Sequence, residues 1–106
     1  MTRRRRLLSM TLAWSLALCA CSRDDTVALN GAGATFPFPL YSKWIAQYQG
    51  VEPSVRINYQ SIGSGGGVRQ IVARTVDFGA SDVPIEPEEE RGASGPLLHV
   101  PVAVGA

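Results

Sequence analysis

Two glycine-rich stretches constrain this chain more than anything else in it: Gly31-Ala32-Gly33-Ala34-Thr35-Phe36-Pro37 and Gly63-Ser64-Gly65-Gly66-Gly67. Each reads as a turn that joins a strand to a helix. Thr26–Asn30 is a short apolar strand candidate ahead of the first. Behind it, Pro37 and Pro39 favour the start of a helix. Tyr41, Trp44, Ile45 and Tyr48 then recur at i, i+3, i+4 and i+7, an amphipathic face that reads as core. Gly50 and Pro53 end it. Val55, Ile57 and Tyr59 alternate with Arg56, Asn58 and Gln60, the period of a strand. After the second glycine stretch, Val68, Ile71, Val72 and Thr75 return to helical spacing. Val76–Ala80 is a further strand candidate, followed by a third turn, Gly79-Ala80-Ser81-Asp82. Leu97–Val104 reads as another strand. Strands alternating with short helices predict an α/β fold with a parallel sheet.

In such a sheet, ligands sit at the carboxyl ends of the strands, where all three turns fall. Backbone N–H groups at a helix start, together with the helix dipole, attract an anion. Thr35 and Ser64 add hydroxyls, and Asp82 adds an acceptor. Two donor-rich turns and one carboxylate describe a site for a small oxyanion that still carries a proton. Two plainer roles compete. Each glycine stretch also serves as a tight connection needing positive φ, and Asp82 also serves as an N-cap for the segment Pro84–Glu90.

Other chemistry finds little support. A dinucleotide fingerprint needs a third glycine where Phe36 and Val68 stand, and a P-loop needs a lysine that neither stretch has. Ser64 is not in a G-x-S-x-G elbow, because Ile62 stands two residues before it. His99 is the single histidine, and neither Ser64 nor Ser81 has an evident activating partner. Glu88-Glu89-Glu90 reads as a solvated helical turn. We therefore expect no catalytic residues, no metal and no cofactor. A net charge of +1 gives no pull toward nucleic acid.

That charge hides a basic start. Arg3–Arg6 precede the apolar run Leu7–Ala20 and then Leu18-Cys19-Ala20-Cys21. The run suits a signal segment and is short for a bilayer span. Its end resembles a bacterial lipobox, which makes Cys21 the lipidation site; simple cleavage and release is the alternative. The expected organisation is a lipoprotein signal segment over 1–21, a tether and the start of the first strand over 22–29, and one domain over 30–106. Both cysteines fall in the signal region, so the mature chain has no disulfide and no thiolate metal site.

Three stretches together, NGAGATFPFPLYSKW, INYQSIGSGGGVRQI and TVDFGASDVP, strongly resemble the N-terminal part of the substrate-binding proteins of bacterial phosphate-specific ABC transporters. The resemblance implies a type II periplasmic-binding fold, of which this chain holds only the first lobe, incomplete. It implies phosphate contacts from the Thr35 hydroxyl, the Phe36 N–H, Ser64 and Asp82. It further implies inorganic phosphate as ligand, permease subunits of the importer as partners, a lipid-anchored place in the periplasm or at the cell surface, and no enzyme activity. The family's second lobe adds an arginine that has no counterpart here. Arg56, Arg69 and Arg74 match no role, and Arg69 and Arg74 read as solvated helix positions. A truncated product with an unpaired sheet edge is the resulting expectation. Alternatives are an envelope lipoprotein that no longer binds phosphate tightly, and an envelope phosphatase using the same cradle.

Overall fold

The computed structural model describes residues 24–105. The segment expected to carry the signal and Cys21 lies outside the described residues. Those described form β1 (Val27–Gly33), α1 (Phe38–Val51), β2 (Val55–Ser61), α2 (Ser64–Val72), β3 (Phe78–Ala80) and α3 (Pro87–Arg91). Among them, no helix is long and apolar enough to cross a membrane.

The three strands are parallel, in the order β2-β1-β3. Pairing runs from Val27↔Val55 to Gly33↔Ser61 on one side of β1, and from Gly31↔Phe78 to Gly33↔Ala80 on the other. Gly33, Ser61 and Ala80 therefore end the sheet level with one another. The first crossover steps from β1 outward to β2. The second returns past β1 to β3. Right-handed crossovers in opposite directions place their helices on opposite faces, and accordingly α1 packs on β2 while α2 packs on β1 and β3. The chain leaves β1 and β2 toward opposite faces, so a crevice opens between their ends.

The two faces are built differently. On one, Tyr41, Trp44, Ile45 and Tyr48 of α1 look toward Leu29, Ile57 and Phe78 of the sheet. This stripe is not the closed core expected of it: Trp44 is 46% and Tyr48 45% exposed. The reason is placement, because α1 lies over β2, an edge strand, and its stripe overhangs the sheet. Pro39 sits in its first turn, Phe38 N–H reaches Thr35 O at 3.2 Å, and Glu52 N–H closes the far end on Tyr48 O at 2.8 Å. Pro53 then blocks continuation.

On the other face, small residues let α2 approach closely. A Cβ on Gly67 would lie 2.5 Å from Gly33 Cα and 2.6 Å from Ala32 O. This explains a glycine at 67 inside a helix, where it costs about 1 kcal/mol relative to alanine. The glycine stretches are thus less turn than expected. Gly31–Gly33 complete β1, and Ser64–Gly67 open α2, leaving Gly63 as the hinge at φ 91°. Among the described residues, Ala32, Ala34 and Ala80 are buried at the strand ends.

Three further differences have local causes. Val76 and Asp77 fall outside β3. There the Asp77 carboxylate accepts from Asn30 N–H at 2.7 Å, while Asp77 N–H donates to Asn30 O at 2.7 Å. Arg74 is not a helix position. It follows α2 at φ 58° in a Schellman turn, with Thr75 N–H on Gln70 O at 3.0 Å, and its guanidinium donates to Gly95 O at 3.1 Å. Leu97–Val104 forms no strand. Pro101 lacks a ladder donor, and Leu97 N–H turns to the Glu90 carboxylate at 3.3 Å. The outer edge strand on that side of the sheet, β3, is itself just three residues long.

Candidate anion site at the strand ends

The strand ends are laced together by backbone. Gly33 O accepts Ile62 N–H at 3.1 Å and Gly63 N–H at 2.9 Å, and Ala34 N–H donates to Ala80 O at 2.9 Å. Thr35 is one residue beyond this knot, Ser64 one beyond, and Asp82 two beyond. At 3.8 Å per residue none can stray far.

Ser64 and Asp82 meet directly. Ser64 Oγ donates to Asp82 Oδ2 at 3.1 Å, and Asp82 N–H donates to Ser64 Oγ at 3.2 Å. Asp82 caps no helix, because α3 has Glu86 at its N-cap position, four residues further along the chain. Thr35 and Phe36 occupy the neighbouring turn. Both are exposed and make no hydrogen bond to Ser64 or Asp82. Their N–H groups have no acceptor among the described residues. The first N–H groups of α2, on Ser64, Gly65 and Gly66, have no partner within the helix. Donors and one carboxylate therefore share one end of the sheet, at the positive end of a helix dipole. The Arg69 guanidinium also reaches this end, with Nη1 3.5 Å from where a Gly65 Cβ would stand. That cation was not expected to matter; i to i+4 spacing from Gly65 is the signal that could have found it.

Tyr59 is the other residue the sequence did not single out. Its hydroxyl donates to Ala34 O at 2.6 Å. Its ring is stacked on Phe38 and Phe78 and meets Tyr41 edge-on. Burial, then Tyr41 and the Asp82 charge, push the phenol up to about 12. A part-buried tyrosine needs a partner for its hydroxyl, and that requirement was the available clue. Ser81 serves locally, accepting Val83 N–H at 3.2 Å. His99 is exposed, and the described residues hold no cluster of three or more His, Cys, Asp or Glu suited to a metal.

A family model described as a PBP superfamily domain matches residues 21–106. The chain belongs to that family. It is 44% identical over 105 residues to the phosphate-binding protein PstS of Pasteurella multocida, covering 99% of this chain and 28% of that protein. It is 57% identical over 61 residues to the phosphate-binding protein PstS of Haemophilus influenzae, covering 58% of this chain and 18% of that protein. Among solved structures, it is similar to the phosphate-binding protein of a phosphate ABC transporter from Streptococcus pneumoniae. That match has a TM-score of 0.58 at 28% identity and covers 67% of this chain and 28% of the other. The same fold recurs in a possible phosphate-binding protein from Planctomyces limnophilus, with a TM-score of 0.60 at 22% identity over 63% of this chain and 24% of the other. The chain thus spans less than a third of the length of these relatives.

Proposed function

We propose that this chain binds inorganic phosphate in the cell envelope, as part of a substrate-binding protein that delivers the ion to an ABC-type importer. The observation that carries the proposal is the Ser64–Asp82 pair, set beside the start of α2 in a chain whose relatives are named phosphate-binding proteins.

The proposed chemistry is an exchange of partners. An ionised Asp82 can only accept hydrogen bonds. Phosphate near neutral pH keeps one or two protons, so a phosphate O–H donates to Asp82. Ser64 Oγ–H is then free to turn from the carboxylate to a phosphate oxygen. The Thr35 hydroxyl and the N–H groups of Thr35 and Phe36 donate to the remaining oxygens. Sulfate brings no proton and would leave Asp82 facing an anion without a hydrogen between them. A site with polar groups that demand partners rejects such an analogue by roughly 10⁴–10⁵. Binding requires no bond making, so the role is capture without catalysis. Within the same proposal, Cys21 carries the lipid tether and the importer's permease subunits are the partner.

Calorimetry on the purified chain tests this. Heat of binding with phosphate and none with sulfate at the same concentration supports it. Equal heats for the two ions, or none for phosphate, overturn it.

A further inference from the structure

We propose that Tyr59 is a positioning residue for anion capture, aiming the Thr35 amide at the ligand through the carbonyl of Ala34. The inference rests on the phosphate reading above and goes further by assigning a part to a residue outside the ligand's contacts. A peptide unit is planar and trans, so the Ala34 C=O and the Thr35 N–H point in opposite directions within one rigid plane. Whatever holds that carbonyl also aims that N–H.

Two hydrogen bonds hold Ala34, one on the peptide unit that precedes it and one on the Ala34–Thr35 unit itself. Ala34 N–H donates to Ala80 O at 2.9 Å, and Tyr59 O–H donates to Ala34 O at 2.6 Å. Ala34 is 1% exposed, so its carbonyl has little access to water if the phenol is removed. The phenol is itself held. Its ring centroid lies 5.1 Å from that of Tyr41, 6.0 Å from Phe78 and 6.2 Å from Phe38. Two elements, α1 and β3, thereby grip one side chain of β2, which grips the turn after β1. The Thr35 N–H, opposite the gripped carbonyl, is one of the donors with no acceptor among the described residues. With its acidity suppressed, the phenol stays a donor throughout the neutral range.

Tyr59→Phe keeps the ring and deletes the hydroxyl. In the full chain, with inorganic phosphate as probe, affinity falls roughly 2- to 12-fold, the loss expected for one hydrogen bond. The phosphate-to-sulfate preference stays as it was, because Asp82 is untouched. In the ligand-free amide spectrum, the Thr35 resonance moves and that of Gly50, at the far end of α1, does not. Tyr48→Phe, on an exposed ring of α1, changes neither readout. A Tyr59 that serves stability alone lowers the unfolding midpoint while the folded variant keeps its affinity and its Thr35 resonance; that result overturns the proposal. If Tyr59→Phe does not fold, the wild-type spectrum decides. A Thr35 amide that exchanges with solvent while the Tyr59 hydroxyl proton is protected supports the clamp, and an unprotected hydroxyl refutes it. A wild-type chain that binds no phosphate sinks the phosphate reading itself, whereas wild-type binding with an unaltered Tyr59→Phe sinks this role alone.

Discussion

Replacing Gly67 with alanine should push α2 away from the strand ends and weaken the fold, although alanine is the better helix former. Helix propensity alone favours the change by about 1 kcal/mol. Space opposes it. The new Cβ would stand 2.5 Å from Gly33 Cα, 2.6 Å from Ala32 O and 3.0 Å from Ala80 O, all of them backbone. Ordinary carbon contacts lie at roughly 3.5–4.0 Å, so the helix must retreat by about 1 Å. Overpacking of this kind costs about 1–3 kcal/mol. The same retreat stretches the 3.1 Å Ser64–Asp82 bond beyond hydrogen-bonding range and forfeits about 1 kcal/mol more. The expected net loss is about 1–3 kcal/mol. Gly50→Ala is the control, since nothing lies within 4 Å of its added Cβ and it should gain about 0.5–1 kcal/mol. Urea unfolding followed by circular dichroism reads both. With a slope of about 1 kcal/mol/M, the Gly67→Ala midpoint falls by about 1 M or more while that of Gly50→Ala rises. A Gly67→Ala chain as stable as wild type would refute the close-contact argument and the explanation of Gly67 built on it.

Two further outcomes follow from the same structure. The Tyr59 phenol is raised to about 12 in the fold from an ordinary value of 10, so the unfolded chain loses that proton first as pH rises. Stability from this group is intact below pH 10 and drains away as pH climbs toward 12; Tyr59→Phe removes that slope, and a slope unchanged in Tyr59→Phe contradicts the assignment. Leu98, 90% exposed on the segment without a strand, should accept aspartate with a stability change within about 0.5 kcal/mol; a loss of several kcal/mol in thermal unfolding would show that the run packs as a strand after all.

The alternation of Val55, Ile57 and Tyr59 made β2 legible, because side-chain period reports strand geometry directly. The helical spacing from Tyr41 to Tyr48 did the same for α1. The convergence of the three turns followed from one topological rule about parallel sheets. Other features depended on partners far along the chain. Gly31–Gly33 read as a turn because glycine is rare in strands, yet the Phe78 ring fills the space above Gly31 that a side chain would occupy. Leu97–Val104 has the composition of a strand but lacks an edge long enough to pair with. The Ser64–Asp82 pair spans 18 residues and the Tyr59–Ala34 bond 25, and both are set by strand register. Propensity says nothing about either.

The central claim is that Asp82 recognises the proton of a bound tetrahedral anion. The most direct test is the phosphate-to-sulfate preference of Asp82→Asn against wild type, measured by calorimetry at one pH and salt concentration. Asparagine supplies a donor where the carboxylate demanded one, so phosphate should weaken by roughly 10- to 150-fold, the span of one lost hydrogen bond to a charged group, while sulfate gains. A variant that keeps the wild-type preference between the two ions contradicts the account.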